Sequence, residues 1–281
     1  MVVAEQVETS LTSEEIAFYH ENGFLRMRHV FTPEEVQELS DQLSYVMETF
    51  ITPGKGWSGP WRKDQQYLSA EEEEKAVLSV IHGIQNYAEA WARAIIHPRL
   101  VGAVADLIGP EVEFHHTTLH AKGPEYGTPF PMHQDYPFYP HQDGQYVDAL
   151  IHVDTATERN GCIKFLAGSH KLGPLEHIRG SGEPHLPPDQ YRIEDAVSCP
   201  AEAGDVVLFS IYTIHGSALN RTQRWRRLMR VGYRNPHNLQ ISGTAHGQAG
   251  MMLRGVRPKV AGLNMSVGGL GRKVGEEVKL A

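Results

Sequence analysis

Two imidazoles and one carboxylate set the chemistry this chain can offer. His133 and Asp135 flank Gln134, and His215 follows eighty residues after Asp135. Two histidines and one carboxylate bind a mononuclear ferrous ion through one face of an octahedron and leave three positions open. On a strand, residues i and i+2 point to the same side, so the spacing predicts that His133 and Asp135 reach one ion together. A third ligand from a distant segment requires a fold in which remote strands face one interior, as in a barrel. The chain has sixteen histidines. His115, His116, His120, His141 and His152 show no coherent ligand spacing, so they read as core or pocket residues and not as a zinc or dinuclear site.

The elements that must position these residues change character along the chain. Thr12 or Ser13 caps a first helix with Glu14 and Glu15 in its first turn. Thr32-Pro33-Glu34-Glu35 repeats the signal, and Val36, Leu39, Leu43 and Val46 follow at helical spacing. Between these helices, Gly23 to Met27 reads as a short strand. Thr52 to Asp64 reads as a loop, and Glu71 to Glu74 as a solvated helix start. A helix after His97-Pro98 stops near Gly109. From Val112 onward, β-like runs alternate with turn residues. They are Val112–Ala121, Tyr146–Val153, Ile163–Leu166, Val197–Cys199, Val206–Ile214 and Leu228–Tyr233, a pattern that predicts a sandwich or barrel. The glycine-rich tail from Gly243 to Ala281 either folds over the barrel or stays partly mobile.

Bulk properties exclude several functions. The 281 residues are 41% hydrophobic and 21% charged, ordinary for a globular protein with a real core. A formal net charge of −8 argues against nucleic acid as the main partner. No window has the unbroken apolar run of a membrane span, and Met1 to Ser10 lacks a signal-peptide core. Two cysteines, Cys162 and Cys199, fit a reducing compartment, although one disulfide stays open. The expectation is a soluble cytoplasmic protein with a small-molecule substrate. Nothing in the sequence sets an oligomeric state.

An ordered set of motifs resembles the phytanoyl-CoA dioxygenase family of iron(II)/2-oxoglutarate oxygenases. Phe18-Tyr19-x-x-Asn22-Gly23-Phe24 comes first, then Met132-His133-Gln134-Asp135. Asn160-Gly161-Cys162, Gly168-Ser169-His170, Ala203-Gly204-Asp205-Val206-Val207-Leu208-Phe209 and His215-Gly216-Ser217-x-x-Asn220 follow in order. The resemblance covers roughly Leu11 to Arg234. It implies a mainly β fold, a double-stranded β-helix (a cupin-like jelly roll) with the N-terminal helices packed outside. Residues 1–281 then form one domain, with a helical part at about 11–110, a jelly-roll core at about 112–234 and a tail at 235–281.

The resemblance also implies roles. His133, Asp135 and His215 bind Fe(II), with 2-oxoglutarate and O2 as cosubstrates. Related halogenases lack the carboxylate, so Asp135 favours oxygen transfer. Arg226, eleven residues after His215, matches the family's 2-oxoglutarate anchor, and a carboxylate entering an apolar pocket needs such a bidentate cation. Strand alternation with Met229, Val231 and Tyr233 leaves Arg227 as the competitor. Ser217 matches a serine on the same carboxylate, and competes with a reading as a turn cap. Thr118 matches a pocket-lining position, and Leu150 stands where some members place a tryptophan. Gln134, Tyr136, Phe138 and His152 are the substrate-side candidates. The implied activity is oxidation of an unactivated C–H bond of a small or medium-sized metabolite, most simply hydroxylation, with release of succinate and CO2. An acyl-CoA substrate is the alternative. A cupin-type hydrolase or isomerase, or a silent binding protein, would represent another class.

Overall fold

In the computed structural model, which describes residues 10–51, 54–55, 71, 75, 77–179, 184–243, 246–261, 263–265 and 272–273, two threonines open the first two helices. Thr12 accepts the Glu15 backbone N–H while Glu15 returns to the Thr12 N–H, starting α1 (Ser13–Asn22). Thr32 and Glu35 repeat the exchange for α2 (Pro33–Phe50). Gly23 ends α1 in the left-handed region (φ 83°), where a side chain would collide with His170. Leu39, Leu43 and Val46 are the buried stripe of α2. The Trp91 indole of α3 (Glu89–Ile95) donates to the Leu39 carbonyl at 3.2 Å, and α4 (Pro98–Ile108) completes the helical layer.

The strands form two main antiparallel sheets. The larger has the order β1 (Phe24–Met27), β9 (Val206–Ser210), β6 (Tyr146–His152), β11 (Arg226–Arg234), β4 (Val112–Lys122), β3 (Val77–His82) and β2 (Gly54–Lys55), with β12 (Met252–Arg254) also on β4. The smaller has the order β5 (Phe130–His133), β10 (His215–Ser217), β7 (Ile163–Phe165) and β8 (Val197–Cys199). A separate pair joins β13 (Asn264–Met265) to β14 (Arg272–Lys273). Alternation divides the large sheet between two cores. Val147, Ala149, Ile151, Met229, Val231 and Tyr233 pack under the helices. Leu150, Val207, Phe209 and Leu228 face the small sheet and meet Ile163 and Phe165. Two facing antiparallel sheets with helices on one outer face make the jelly roll.

Three sequence readings change. β3 lies in the stretch read as helical; its pairing with β4 is a long-range contact with no local signal. The run Val206–Ile214 is broken after Ser210, because the chain there leaves the large sheet and enters the small one at His215. Asp135 is not on a strand. β5 ends at His133, and Asp135 (φ −77°, ψ −20°) opens a short 3₁₀ turn over Tyr136–Phe138. Of the loop read at Thr52–Asp64, only Gly54 and Lys55 are described, as β2. Glu72–Glu74 and most of the far tail lie outside the described residues.

The described part of the tail is anchored. Glu113 takes Arg234 at 2.6 Å on one oxygen and Arg257 at 2.8 Å on the other. Cys162 and Cys199 are buried free thiols. Among the described residues, no helix is long and apolar enough to cross a membrane.

Candidate active site

The small sheet brings the distant histidines together. His215 pairs directly with His133 across β10 and β5. Each ring donates its Nδ1–H to a carbonyl two residues back, His133 to Pro131 (2.7 Å) and His215 to Thr213 (2.9 Å). These bonds fix the tautomer and turn both Nε2 atoms to one point. The same Asp135 oxygen, Oδ1, lies 3.6 Å from His133 Nε2 and 3.9 Å from His215 Nε2. One donor atom from each residue lies within 4.8 Å of the others, and among the described residues this is the one such group. Burial pushes His215 down to about 3, with His133 adding to the shift, so its ring is neutral and its lone pair available. Burial alone would raise the Asp135 carboxyl, but the Arg230 guanidinium beside it holds it well below the usual carboxylate range. The donor set and its protonation suit a divalent iron ion.

A second charged corner lies along the same cavity. Arg226, on β11, is 3% exposed, and its Nη2 reaches only the Gly161 carbonyl at 3.3 Å. Its Nε and Nη1 have no hydrogen-bond partner among the described residues. A buried guanidinium with unused donors calls for an anion. Burial pushes its pKa down to about 10. Ser217 stands in the same corner, and its Oγ accepts from Lys122 Nζ at 2.8 Å, which leaves the serine hydrogen for the cavity. Lys122 also donates to the Ala218 carbonyl. Gly161 (φ 77°) must be glycine here, since a Cβ would collide with the Ala218 carbonyl and crowd Lys122 Nζ. Asn220 ties the β10–β11 loop to Gly123 and Arg224 carbonyls, fixing where β11 starts. This corner fits the distal carboxylate of a keto diacid.

Arg227 points to the other face. It grips Asp154 through Nε and Nη2 at 2.8 Å and donates to Ser44 and Ser40 of α2 at 2.9 Å.

The cavity between the two corners measures about 180 Å³. His133, Asp135, His215, Ser217, Arg226, Thr118, Phe138 and Leu150 all line it. Three substrate-side candidates do not. Gln134 spends its amide on the Gly173 and Tyr212 carbonyls (2.8 and 2.7 Å) and accepts from Leu175 N–H, so it holds loops together. His152 is buried without lining the cavity, and burial, with Arg226 adding, pushes it down to about 3. Tyr136 packs on Tyr212 at a 5.3 Å ring separation. Sequence reasoning missed Lys122, His82 and Arg230, and read His120 only as a core or pocket histidine. Period two offered a signal for three of them: His120 and Lys122 are in phase with Thr118, and Arg230 with Arg226. His82 depended on the unforeseen β3, where it pairs with Thr118.

Arg230 binds the outer oxygen of the metal-ligating carboxylate. Its Nη1 meets Asp135 Oδ2 at 2.7 Å and Tyr139 Oη at 3.1 Å, and its Nη2 meets His116 Nε2 at 3.2 Å. Asp148 lies behind, accepting from Tyr139 Oη at 2.9 Å. Burial and the nearby Asp135 charge push the Asp148 carboxyl well up.

Comparison with known proteins places the chain in a family and supports its fold. The phytanoyl-CoA dioxygenase (PhyH) family profile fits residues 19–228. The chain is 29% identical to the peroxisomal phytanoyl-CoA dioxygenase of Rattus norvegicus over 242 residues, 79% of this chain and 68% of that one. It is 23% identical to L-proline trans-4-hydroxylase of Streptomyces griseoviridis over 243 residues, 78% of this chain and 85% of that one. Among solved structures, EctD from S. alaskensis with 2-oxoglutarate and 5-hydroxyectoine superposes with a TM-score of 0.63 at 20% identity, covering 83% of this chain and 79% of that one. The 2-oxoglutarate-dependent carbocyclase SnoK from nogalamycin biosynthesis gives 0.66 at 20% identity, covering 83% and 88%.

Proposed function

The chain belongs to the phytanoyl-CoA dioxygenase family and is an iron(II)/2-oxoglutarate-dependent oxygenase, and from that premise we propose that it hydroxylates an unactivated C–H bond of a small or medium-sized metabolite. In this reading His133, Asp135 and His215 hold the iron. Arg226 and Ser217 hold the distal carboxylate of 2-oxoglutarate, with Thr118 beside it. When bound, iron and 2-oxoglutarate together activate O2, with succinate and CO2 released. Leu150, Ile163, Phe209 and Leu228 wall the middle of the cavity and exclude water. Phe130, Phe138, His82 and His120 line it too and offer a substrate apolar surface with two imidazoles.

One observation carries the reading: the three-donor cluster and the unsatisfied Arg226 open into the same cavity. A volume of about 180 Å³ favours a compact substrate, since drug-sized ligand sites run to roughly 300–1,000 Å³. The 29% identity to a phytanoyl-CoA dioxygenase supports a second reading, an acyl-CoA whose reacting end alone enters. The buried free thiols support a reducing compartment.

The test is anaerobic loading with Fe(II) and 2-oxoglutarate, then air, ascorbate and a metabolite extract, followed by mass spectrometry. A product heavier by one oxygen, with succinate formed in step, is expected from the native enzyme and not from His133→Ala. An oxygenated product formed equally by His133→Ala, or formed without succinate, would remove the reading.

A further inference from the structure

We propose that Arg230 is a positioning residue that restricts Asp135 to a single metal-binding oxygen; this rests on the iron site described above. The two oxygens of Asp135 have different surroundings. Oδ1 faces both histidine Nε2 atoms, and Oδ2 accepts from Arg230 Nη1 at 2.7 Å. A carboxylate's terminal torsion is broad, so packing alone does not choose whether one oxygen or both face the ion. A charge-assisted hydrogen bond of this length does choose.

The guanidinium is itself held through its two Nη atoms, while its Nε has no hydrogen-bond partner among the described residues. Tyr139 Oη lies at 3.1 Å and His116 Nε2 at 3.2 Å, Asp148 Oδ1 is 3.8 Å from Nε, and the Tyr139 ring lies 5.4 Å beneath. His116 reaches this position because β4 bulges opposite Gly232 and Tyr233, turning His115 and His116 toward the same network. Gly232 leaves room for it: a side chain there would collide with the Tyr146 hydroxyl. The side chain of Arg230 is 13% exposed and that of Asp135 is 1% exposed, so the bond between them is shielded from water.

Two-oxygen chelation by Asp135 would break this bond and leave a guanidinium poorly satisfied beside the buried Asp148. Asp135 therefore offers Oδ1 alone, and three coordination positions stay available for the keto acid and oxygen. Arg230 and Arg226 lie on one face of β11, four residues apart, roughly 13 Å along the strand. One strand thus fixes the cosubstrate anchor and the geometry of the metal carboxylate.

The test uses Co(II) alone as the probe, in the absence of O2, because its visible absorption reports coordination number. Native protein, Arg230→Met, Arg230→Lys and His133→Ala are titrated, and thermal unfolding checks that each is folded. The expected result is an affinity for Co(II) that falls roughly 10- to 100-fold in Arg230→Met, the usual range for losing an outer partner of a metal ligand. Its absorption should also change shape toward higher coordination. Arg230→Lys keeps a cation but cannot span Asp135, Tyr139 and His116 together, so it should recover affinity only in part. If Arg230→Met does not fold, Arg230→Lys decides alone: native affinity and an unchanged spectrum would overturn the proposal. If native protein and His133→Ala both fail to bind Co(II), the iron site falls and the proposal falls with it. Native binding that His133→Ala loses and neither folded Arg230 variant alters would overturn the proposal only.

Discussion

Arg226 and Arg227 are neighbours with opposite surroundings. Arg226 ends in the cavity with two donors unused; Arg227 makes four contacts to Asp154, Ser40 and Ser44. Alternation on the sequence puts Arg227 in phase with Met229, Val231 and Tyr233, which invites the conclusion that it faces the functional interior. The structure shows why that phase misleads. The face of β11 under the helices carries Met229, Val231 and Tyr233 behind Arg227, while the cavity face carries Arg226, Leu228 and Arg230. The cavity face of β11 carries two arginines, so hydrophobicity marked the wrong side. The distance from His215 was the better guide, because it reflects one loop held by Asn220. We predict that Arg226→Ala raises the 2-oxoglutarate requirement by roughly 30- to 1,000-fold, the loss of about 2–4 kcal/mol expected for a buried charged partner. Steady-state titration of the cosubstrate checks this, and a change under threefold would remove Arg226 from the anchor.

At the level of elements, local signals were legible and long-range ones were not. The α2 capping box and the Leu39–Leu43–Val46 stripe depend on neighbours within a turn or two and are present as read, and of the two caps read for α1, Thr12 or Ser13, the structure uses Thr12. β3 exists only through pairing with β4, and the break between β9 and β10 reflects a switch of sheets, which no local pattern encodes. The same limit hid the turn at Asp135: the i, i+2 spacing suggested a strand, whereas the carboxylate reaches the histidines from the start of a 3₁₀ turn. Contact between α2 and β11 is also long-range, and Arg227 is its polar fastening. Arg227→Ala should therefore lower stability by about 1–3 kcal/mol, seen as a drop of several degrees in thermal midpoint. It should change the 2-oxoglutarate requirement less than about twofold. A large shift in that requirement with unchanged stability would reverse the roles assigned to the two arginines.

For the molecule as a whole, net charge describes the surface and not the site. The chain carries −8 overall, yet its cavity holds Arg226 at one corner and Arg230, bonded to Asp135, at the other. The cluster of His133, Asp135 and His215 was readable because three residue types at fixed spacing are specific. The substrate side was not, because Val80, His82 and His120 meet it through β3 and β4, which come together only on folding. The central claim is that two distant segments of one jelly roll converge on a single ferrous ion. Anomalous diffraction at the iron edge, from anaerobic crystals grown with Fe(II) and 2-oxoglutarate, measures this directly. We predict one peak bonded to His133 Nε2, Asp135 Oδ1 and His215 Nε2, with the keto acid's far carboxylate on Arg226. A peak at another site, or density with the His215 ring turned away from the ion, would contradict the account.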